Sequence, residues 1–286
     1  MGLAADLNDS RCGIEAAAAA DPRRLRVHRA PARRDVPYVP TDDAVVPAIL
    51  RLARVTGEDV IYDLGCGDGR IVIAAAKRLG ARGLGVDIDP LRIQECHDNL
   101  RRAGAAVKER VRFVQGSLFD IDLRPATVLT LYLLPSLNIR LRSRILSDLR
   151  PGARVISNHF DMADWRADEV VETHHRRLHL WIVPAWVAGE WHCTVNDPVA
   201  GRRHVRLRLE RRYQIVTGSA NVGGRETMIG HGRIVGDRLT FRVVEWGRGG
   251  VPMRYAATVA GGQLRGRCWV EGEEGAGACE FGGVRV

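Results

Sequence analysis

The chain has 286 residues, enough for one large or two ordinary domains with an ample core. Apolar residues make up 45% and charged residues 27%, the balance of a soluble globular protein, and no apolar run approaches the roughly 18 residues that span a bilayer. The net charge of +9 rests on arginine, since Lys77 and Lys108 are the only lysines; with abundant alanine and glycine, that skew fits GC-rich bacterial codon bias better than selection for a phosphate-binding surface.

Residues 1–35 are rich in Ala, Arg and Pro without a sustained period, and a disordered basic arm is expected there. Its alanine run, Ala16 to Ala20, precedes the basic residues, the reverse of a secretory signal. The six cysteines show no C-x-x-C and no paired histidines, so neither zinc nor a disulfide framework is indicated. A cytoplasmic location is expected. In Val36-Pro37-Tyr38-Val39-Pro40 the prolines impose an extended course. Thr41 is the expected N-cap of a helix reaching Arg54, with Asp42 and Asp43 in its first turn.

Val60 to Arg70 reads V-I-Y-D-L-G-C-G-D-G-R: an apolar strand, Asp63, a turn (Gly65, Cys66, Gly67, Asp68, Gly69) and a helix start. Glycine lets a ligand lie on the backbone, and the helix beyond offers free N–H groups. The dinucleotide fingerprint would need its third glycine where Arg70 stands. A carboxylate two residues before Gly65 is badly placed beside a pyrophosphate but well placed beside an ammonium, as at the methionyl end of S-adenosylmethionine. D-L-G-x-G-D-G-R resembles motif I of the seven-strand class I methyltransferases. The alternative is a glycine-rich turn with no ligand. Asp87 ends the next strand, 22 residues past Gly65, where doubly wound folds hold ribose hydroxyls; Ile88 follows it, and Asp89 is the expected cap of a helix opened by Pro90.

Helices are expected over 71–79 and 90–103, and strands over 82–87 and 111–115. The third strand ends at Gly116-Ser117-Leu118, the adenine edge, where many relatives carry an acid at the place of Ser117; a backbone N–H or Asp120 would serve instead. A fourth strand (126–133) leads to Tyr132-Leu133-Leu134-Pro135-Ser136, the acceptor side. No N/D-P-P-Y turn, no Pro-Cys nucleophile and no acidic magnesium cluster appears there, so metal-free in-line transfer is expected. A helix over 136–149 and strands over 152–158, 169–172 and 178–183 complete an α/β, doubly wound, mostly parallel Rossmann-like sheet of seven strands with helices on both faces.

P-Y-V-P-T at 37–41, D-L-G-C-G-D-G-R-I-V at 63–72, Y-L-L-P at 132–135 and G-A-R-V-I-S at 152–157, with Trp165 downstream, together resemble the lysine methyltransferases of the ATP synthase c-subunit and adenine nucleotide translocase and their bacterial relatives. The likeness covers about residues 36–185. It implies S-adenosylmethionine as cofactor, a protein lysine as acceptor, Tyr38 and Thr41 as lid residues, and Tyr132 and Pro135 at the acceptor turn. The mitochondrial members carry a membrane-directing segment with no visible counterpart here. A small-molecule or RNA methyltransferase, or a non-catalytic cofactor-sensing protein, are the competing readings.

From about Gly189 the pattern changes to period two, as in His204 to Glu210 and Leu239 to Val243, with turn signals every 8 to 12 residues. Domains are expected at 36–187 and 188–286, the second a small antiparallel barrel-like meander of seven or eight strands. His192, His204 and His231 read as surface or core residues rather than ligands. Trp191, Tyr213, Trp246, Tyr255 and Trp269 would either line a barrel mouth or fill its core.

Overall fold

Strand β1 (Val60–Leu64) is buried along nearly its whole length, as a strand covered on both faces must be. The computed structural model describes residues 38–197, 201–245, 250–273 and 277–286; the expected N-terminal arm, Pro37 and Trp246 lie outside them. Around β1 run β2 (Arg82–Asp87), β3 (Val111–Gln115), β4 (Val128–Leu131) and β5 (Arg154–Asn158), all parallel. β6 (Glu169–Thr173) and β7 (Arg176–Ile182) complete the sheet in the order β3-β2-β1-β4-β5-β7-β6, with β7 antiparallel to both neighbours.

The two faces differ. α1 (Val46–Leu52), α2 (Arg70–Leu79), α3 (Pro90–Ala103) and the unforeseen short α4 (Ala105–Lys108) share one apolar cluster with Ile61, Val128 and Ile156. α2 starts and stops at left-handed Gly69 and Gly80, and Asp89 caps α3 by accepting the Leu91 N–H at 3.0 Å. On the other face, α5 (Pro135–Asp148) is the one helix among the described residues. Ile121, Leu123, Met162 and Trp165, on non-helical connections, fill the space a second helix would take. Helices on both faces are therefore present, but very unequally.

Thr41 is not a helix cap. α1 begins at Val46, with Val45 at its N-cap position and no side-chain cap. Asp42 closes the preceding turn, its Oδ1 accepting the Ala44 N–H at 2.8 Å and its carbonyl the Val45 N–H at 2.9 Å. Thr41 is instead buried, its hydroxyl accepting from Asn158 Nδ2 at 3.4 Å. Long-range partners outcompete the local cap. The helix also stops at Leu52, with the left-handed Arg54 just beyond.

The second sheet comprises β8 (Gly189–Asp197), β9 (Gly201–Arg212), β10 (Ile215–Val222), β11 (Arg225–Met228), β12 (Gly230–Val235), β13 (Arg238–Glu245), β14 (Val251–Ala260), β15 (Gln263–Val270) and β16 (Cys279–Arg285). It closes because β16 pairs with β8 and β9 with β10. β11 and β12 both pair with β10 and are separated only at Ile229, so nine strands make an eight-staved antiparallel barrel. Alternate residues fill the interior: Trp191, Leu207, Phe241 and Tyr255 are buried, with the Phe241 and Tyr255 rings stacked at 4.8 Å. Of the aromatic residues proposed for a barrel mouth, Trp191 and Tyr255 are core, Trp269 is partly buried and Tyr213 reaches the first sheet. His192, His204 and His231 are exposed.

Barrel and sheet meet at the β5–β6 connection. Trp165 stacks on Tyr213 with centroids 5.7 Å apart, Gln214 Nε2 donates to the Arg166 carbonyl at 2.6 Å, and Arg233 pairs with Asp168 at 2.6 Å. No helix among the described residues is long and apolar enough to cross a membrane.

Candidate active site

A cleft opens at the carboxyl ends of β1, β2 and β4. In this family of sheet topologies ligands bind at that edge. The turn after β1 is pinned to β2: the Gly65 and Cys66 N–H groups both donate to the Val86 carbonyl, at 2.8 and 3.0 Å. Gly67 holds φ +56°, and a Cβ there would fall 2.5 Å from the Tyr38 ring, which lies over the turn. Only glycine meets both demands.

Two carboxylates flank this turn. Asp63 is buried and lines the cleft. Burial, then the charges of Asp87 and Asp68, push its pKa up to about 7, against a 2.7 Å hydrogen bond from Thr130 Oγ1 that favours the ionised form. Asp87 braces the turn: its Oδ2 accepts the Gly67 N–H and its Oδ1 the Asp89 N–H, both at 2.9 Å. Burial raises its pKa too, opposed by those backbone donors. A cation beside a buried carboxylate that faces a cleft stabilises it as an anion. The methionyl ammonium of S-adenosylmethionine supplies one, so Asp63 would hold that end and Asp87, at the next strand end, the ribose.

Thr130 faces Asp63 by strand register. Its signal in the sequence was a lone hydroxyl within the apolar V-L-T-L. Thr130→Val should keep the packing but remove about 1.5–3 kcal/mol of hydrogen bonding to the ionised carboxylate. The pH at which cofactor binding reaches half its maximum should then rise by about 1–2 units, as read by calorimetric titration.

Arg70 was also missed, because two of its partners, Thr41 and Asp43, lie far back in the chain. It grips Asp68, with Nη2 at 2.6 Å from Oδ2, and donates from Nη1 to the Thr41 carbonyl at 2.7 Å and to Asp43 at 3.1 Å. These bonds strap residues 41–43 to the glycine turn and keep the guanidinium charged. Arg92 lies over the Tyr38 ring at 4.4 Å and completes the strap. Arg70→Ala should release it, weakening cofactor binding roughly tenfold and exposing residues 38–45 to limited proteolysis.

The cleft gathers most of the residues singled out in the sequence: Tyr38, Thr41, Asp63, Gly65, Cys66, Gly67, Asp68, Asp87, Ile88, Ser117, Leu118 and Tyr132 all line it. Gly69 and Pro135 do not. Gly69 packs beneath the turn, where a Cβ would meet the Phe113 ring at 2.4 Å, and Pro135 is the exposed first residue of α5. Ser117 Oγ caps its own loop by accepting the Phe119 N–H at 3.2 Å, and Asp120 is exposed and outside the cleft lining. Below the turn, Cys66 and Cys96 lie 3.8 Å apart and Cys96 Sγ donates to the Gly67 carbonyl at 3.0 Å.

A family model described as the ANTKMT methyltransferase domain matches residues 63–169, which contain both carboxylates and the Tyr132 turn. A protein-lysine N-methyltransferase of Saccharolobus islandicus (strain REY15A) is 40% identical over 156 residues, 54% of this chain and 95% of that protein. The chain belongs to this family of class I methyltransferases. It is an enzyme, and its cofactor is S-adenosylmethionine. The methyltransferase is also 33% identical to the adenine nucleotide translocase lysine N-methyltransferase of Mus musculus over 144 residues, half of this chain and 61% of that protein. A crystal structure described as an RNA methyltransferase from Salinibacter ruber in complex with S-adenosyl-L-homocysteine is 46% identical, with a TM-score of 0.51, covering 52% of this chain and 96% of that one. The family model ends at residue 169, before the barrel begins at Gly189.

Proposed function

We propose that this methyltransferase N-methylates a protein lysine, with residues 36–187 as the catalytic unit and the 188–286 barrel as its partner domain. The observation that carries the reading is the likeness to a protein-lysine N-methyltransferase along 95% of that relative's length. The cofactor, when bound, supplies an electrophilic methyl group on a sulfonium. The chain's own residues hold and orient it: Asp63 grips its methionyl ammonium and Asp87 its ribose, and the 38–43 strap covers it. Fixing donor and acceptor in line is where most of the rate gain arises, since effective molarities reach about 10⁵–10⁸ M.

A lysine with a pKa near 10.4 must lose a proton before it attacks, at a cost of about 4 kcal/mol at about pH 7.4. Tyr132, half-buried at the cleft wall, and the carbonyls of the turn it opens are the groups that would accept that amine's hydrogens and keep it from bulk water. Buried Leu133 and Leu137 line the wall beside it and lower the local polarity, which disfavours the ammonium form.

The Salinibacter ruber structure favours a second reading, an RNA acceptor. The two separate cleanly. The full chain is incubated with cell lysate and methyl-tritiated S-adenosylmethionine. Label removed by protease and mapped to lysine supports the first reading; label removed by ribonuclease replaces it with the second.

A further inference from the structure

Three guanidinium groups lie on three aromatic rings that line the cleft: Arg92 over Tyr38 at 4.4 Å, Arg140 over Phe119 at 4.2 Å and Arg176 over Tyr132 at 5.6 Å. They are not electrically equivalent. Arg92 is balanced within the fold by Glu95 at 2.7 Å and Asp89 at 3.9 Å. Arg140 and Arg176 have no carboxylate partner among the described residues. Arg140 stands on α5 over the Phe119 ring, just past the Ser117-Leu118 loop, and Arg176 stands beside the Tyr132 turn that leads into α5; both rings line the same cleft.

The backbone around Arg176 adds a second mark. β6 and β7 are joined by His174 and His175, at φ +48° and +59°, between the paired Thr173 and Arg176. A two-residue turn with both φ positive favours Asn-Gly, so two histidines there are held against their preference. Such strain concentrates at functional edges. The turn exposes both imidazoles next to Arg176. Of the acids on this hairpin, Glu172 is already paired with Arg177 at 3.0 Å.

We propose that Arg140 and Arg176 form an anion-reading rim at the acceptor mouth, and that the protein substrate presents its lysine on a segment carrying carboxylates. The proposal rests on the lysine reading above. The aromatic ring under each guanidinium attracts and holds it, and a guanidinium so held can take a carboxylate in bidentate fashion. Unbalanced positive charge at a cleft mouth also raises the encounter rate of acidic partners, and salt screens that gain.

The test uses the full chain and single-lysine peptides that differ only in flanking Glu, Gln or Arg. Glu-flanked peptides should exceed Gln-flanked ones by about tenfold in kcat/KM, through KM rather than kcat, and the gap should close between about 50 mM and about 500 mM salt. The double charge reversal R140E/R176E should invert the order toward Arg-flanked peptides, with calorimetric cofactor binding showing that the variant is folded. Lysines labelled in lysate proteins give a second readout: acidic neighbourhoods for the wild type, basic ones for the variant. Equal use of all three flanks, or a preference that charge reversal leaves in place, overturns the rim while lysine methylation stands. Labelling of RNA with no labelled lysine removes both.

Discussion

Asp63→Asn should weaken S-adenosylmethionine binding by at least about a hundredfold while leaving the enzyme folded. The substitution is isosteric, so the loss comes from charge. An ammonium bound against a buried neutral amide forfeits its counter-ion, a cost of about 3–5 kcal/mol. The pH dependence follows from the same group. With its pKa raised to about 7, first by burial and then by Asp87 and Asp68, Asp63 is largely protonated below neutrality, and a bound cation favours the ionised form. Binding therefore releases a proton below about pH 7, and affinity should fall by up to about tenfold per unit as the pH drops from there. The asparagine variant should show no such slope. Calorimetry in buffers of different ionisation enthalpy reads the proton release directly; a wild-type affinity that is flat between pH 5.5 and 7 would refute the role.

The stability of the free enzyme carries the opposite sign. A carboxylate whose folded pKa lies above its unfolded value stabilises the fold in its protonated form. That contribution is fully present below about pH 4 and is lost as the pH rises through about 7. Asp63→Asn should accordingly raise the melting temperature of the cofactor-free protein at pH 8, by a few degrees per kcal/mol recovered. A variant that is more stable and cannot bind its cofactor would separate function from folding at one residue.

The sequence made Asp63 visible because it sits two residues before a glycine turn whose geometry is local, and Asp87 because it ends the next strand 22 residues past Gly65. The strands were legible for the same reason: buried parallel strands announce themselves as apolar runs. What failed depended on distant partners. Thr41 has the chemistry of a helix cap, but Asn158 and Arg70 claim its hydroxyl and carbonyl from elsewhere in the chain. Pro135 stands in the family-like Y-L-L-P stretch, yet the turn sends its ring outside the cleft while Tyr132 and Leu133 face in. The barrel's strand number was close, and the discrepancy is the break at Ile229 that splits one stave into β11 and β12. The rim arginines could not be read at all, since each meets its aromatic partner only through the fold.

Trp165→Ala should cost about 3–5 kcal/mol, because it empties the place where barrel and sheet share a core. Trp165 is fully buried, stacks on Tyr213 from the barrel and tilts against Trp181 at 6.0 Å, while its carbonyl accepts the Trp181 indole N–H at 2.8 Å. Its own indole N–H has no hydrogen-bond partner among the described residues, so Trp165→Phe loses volume but no hydrogen bond seen there and should cost much less. Asp164 beside it pairs with Arg142 and Arg212 and accepts the Tyr213 hydroxyl at 3.1 Å, but these contacts are exposed and worth little by comparison. The sheet face served by α5 has no second helix among the described residues, and the Tyr213 turn closes over part of what that helix would cover. Barrel and sheet should therefore unfold together. Denaturant titration followed by circular dichroism and by tryptophan fluorescence should give one midpoint for the wild type and a lower one for Trp165→Ala. A double-mutant cycle with Tyr213→Ala should return about 0.5–1.5 kcal/mol of coupling, the worth of one stacked pair. A Trp165→Ala loss of unfolding free energy below about 1 kcal/mol would mean that the barrel only hangs beside the sheet, and that the face is closed by α5 and its loops alone.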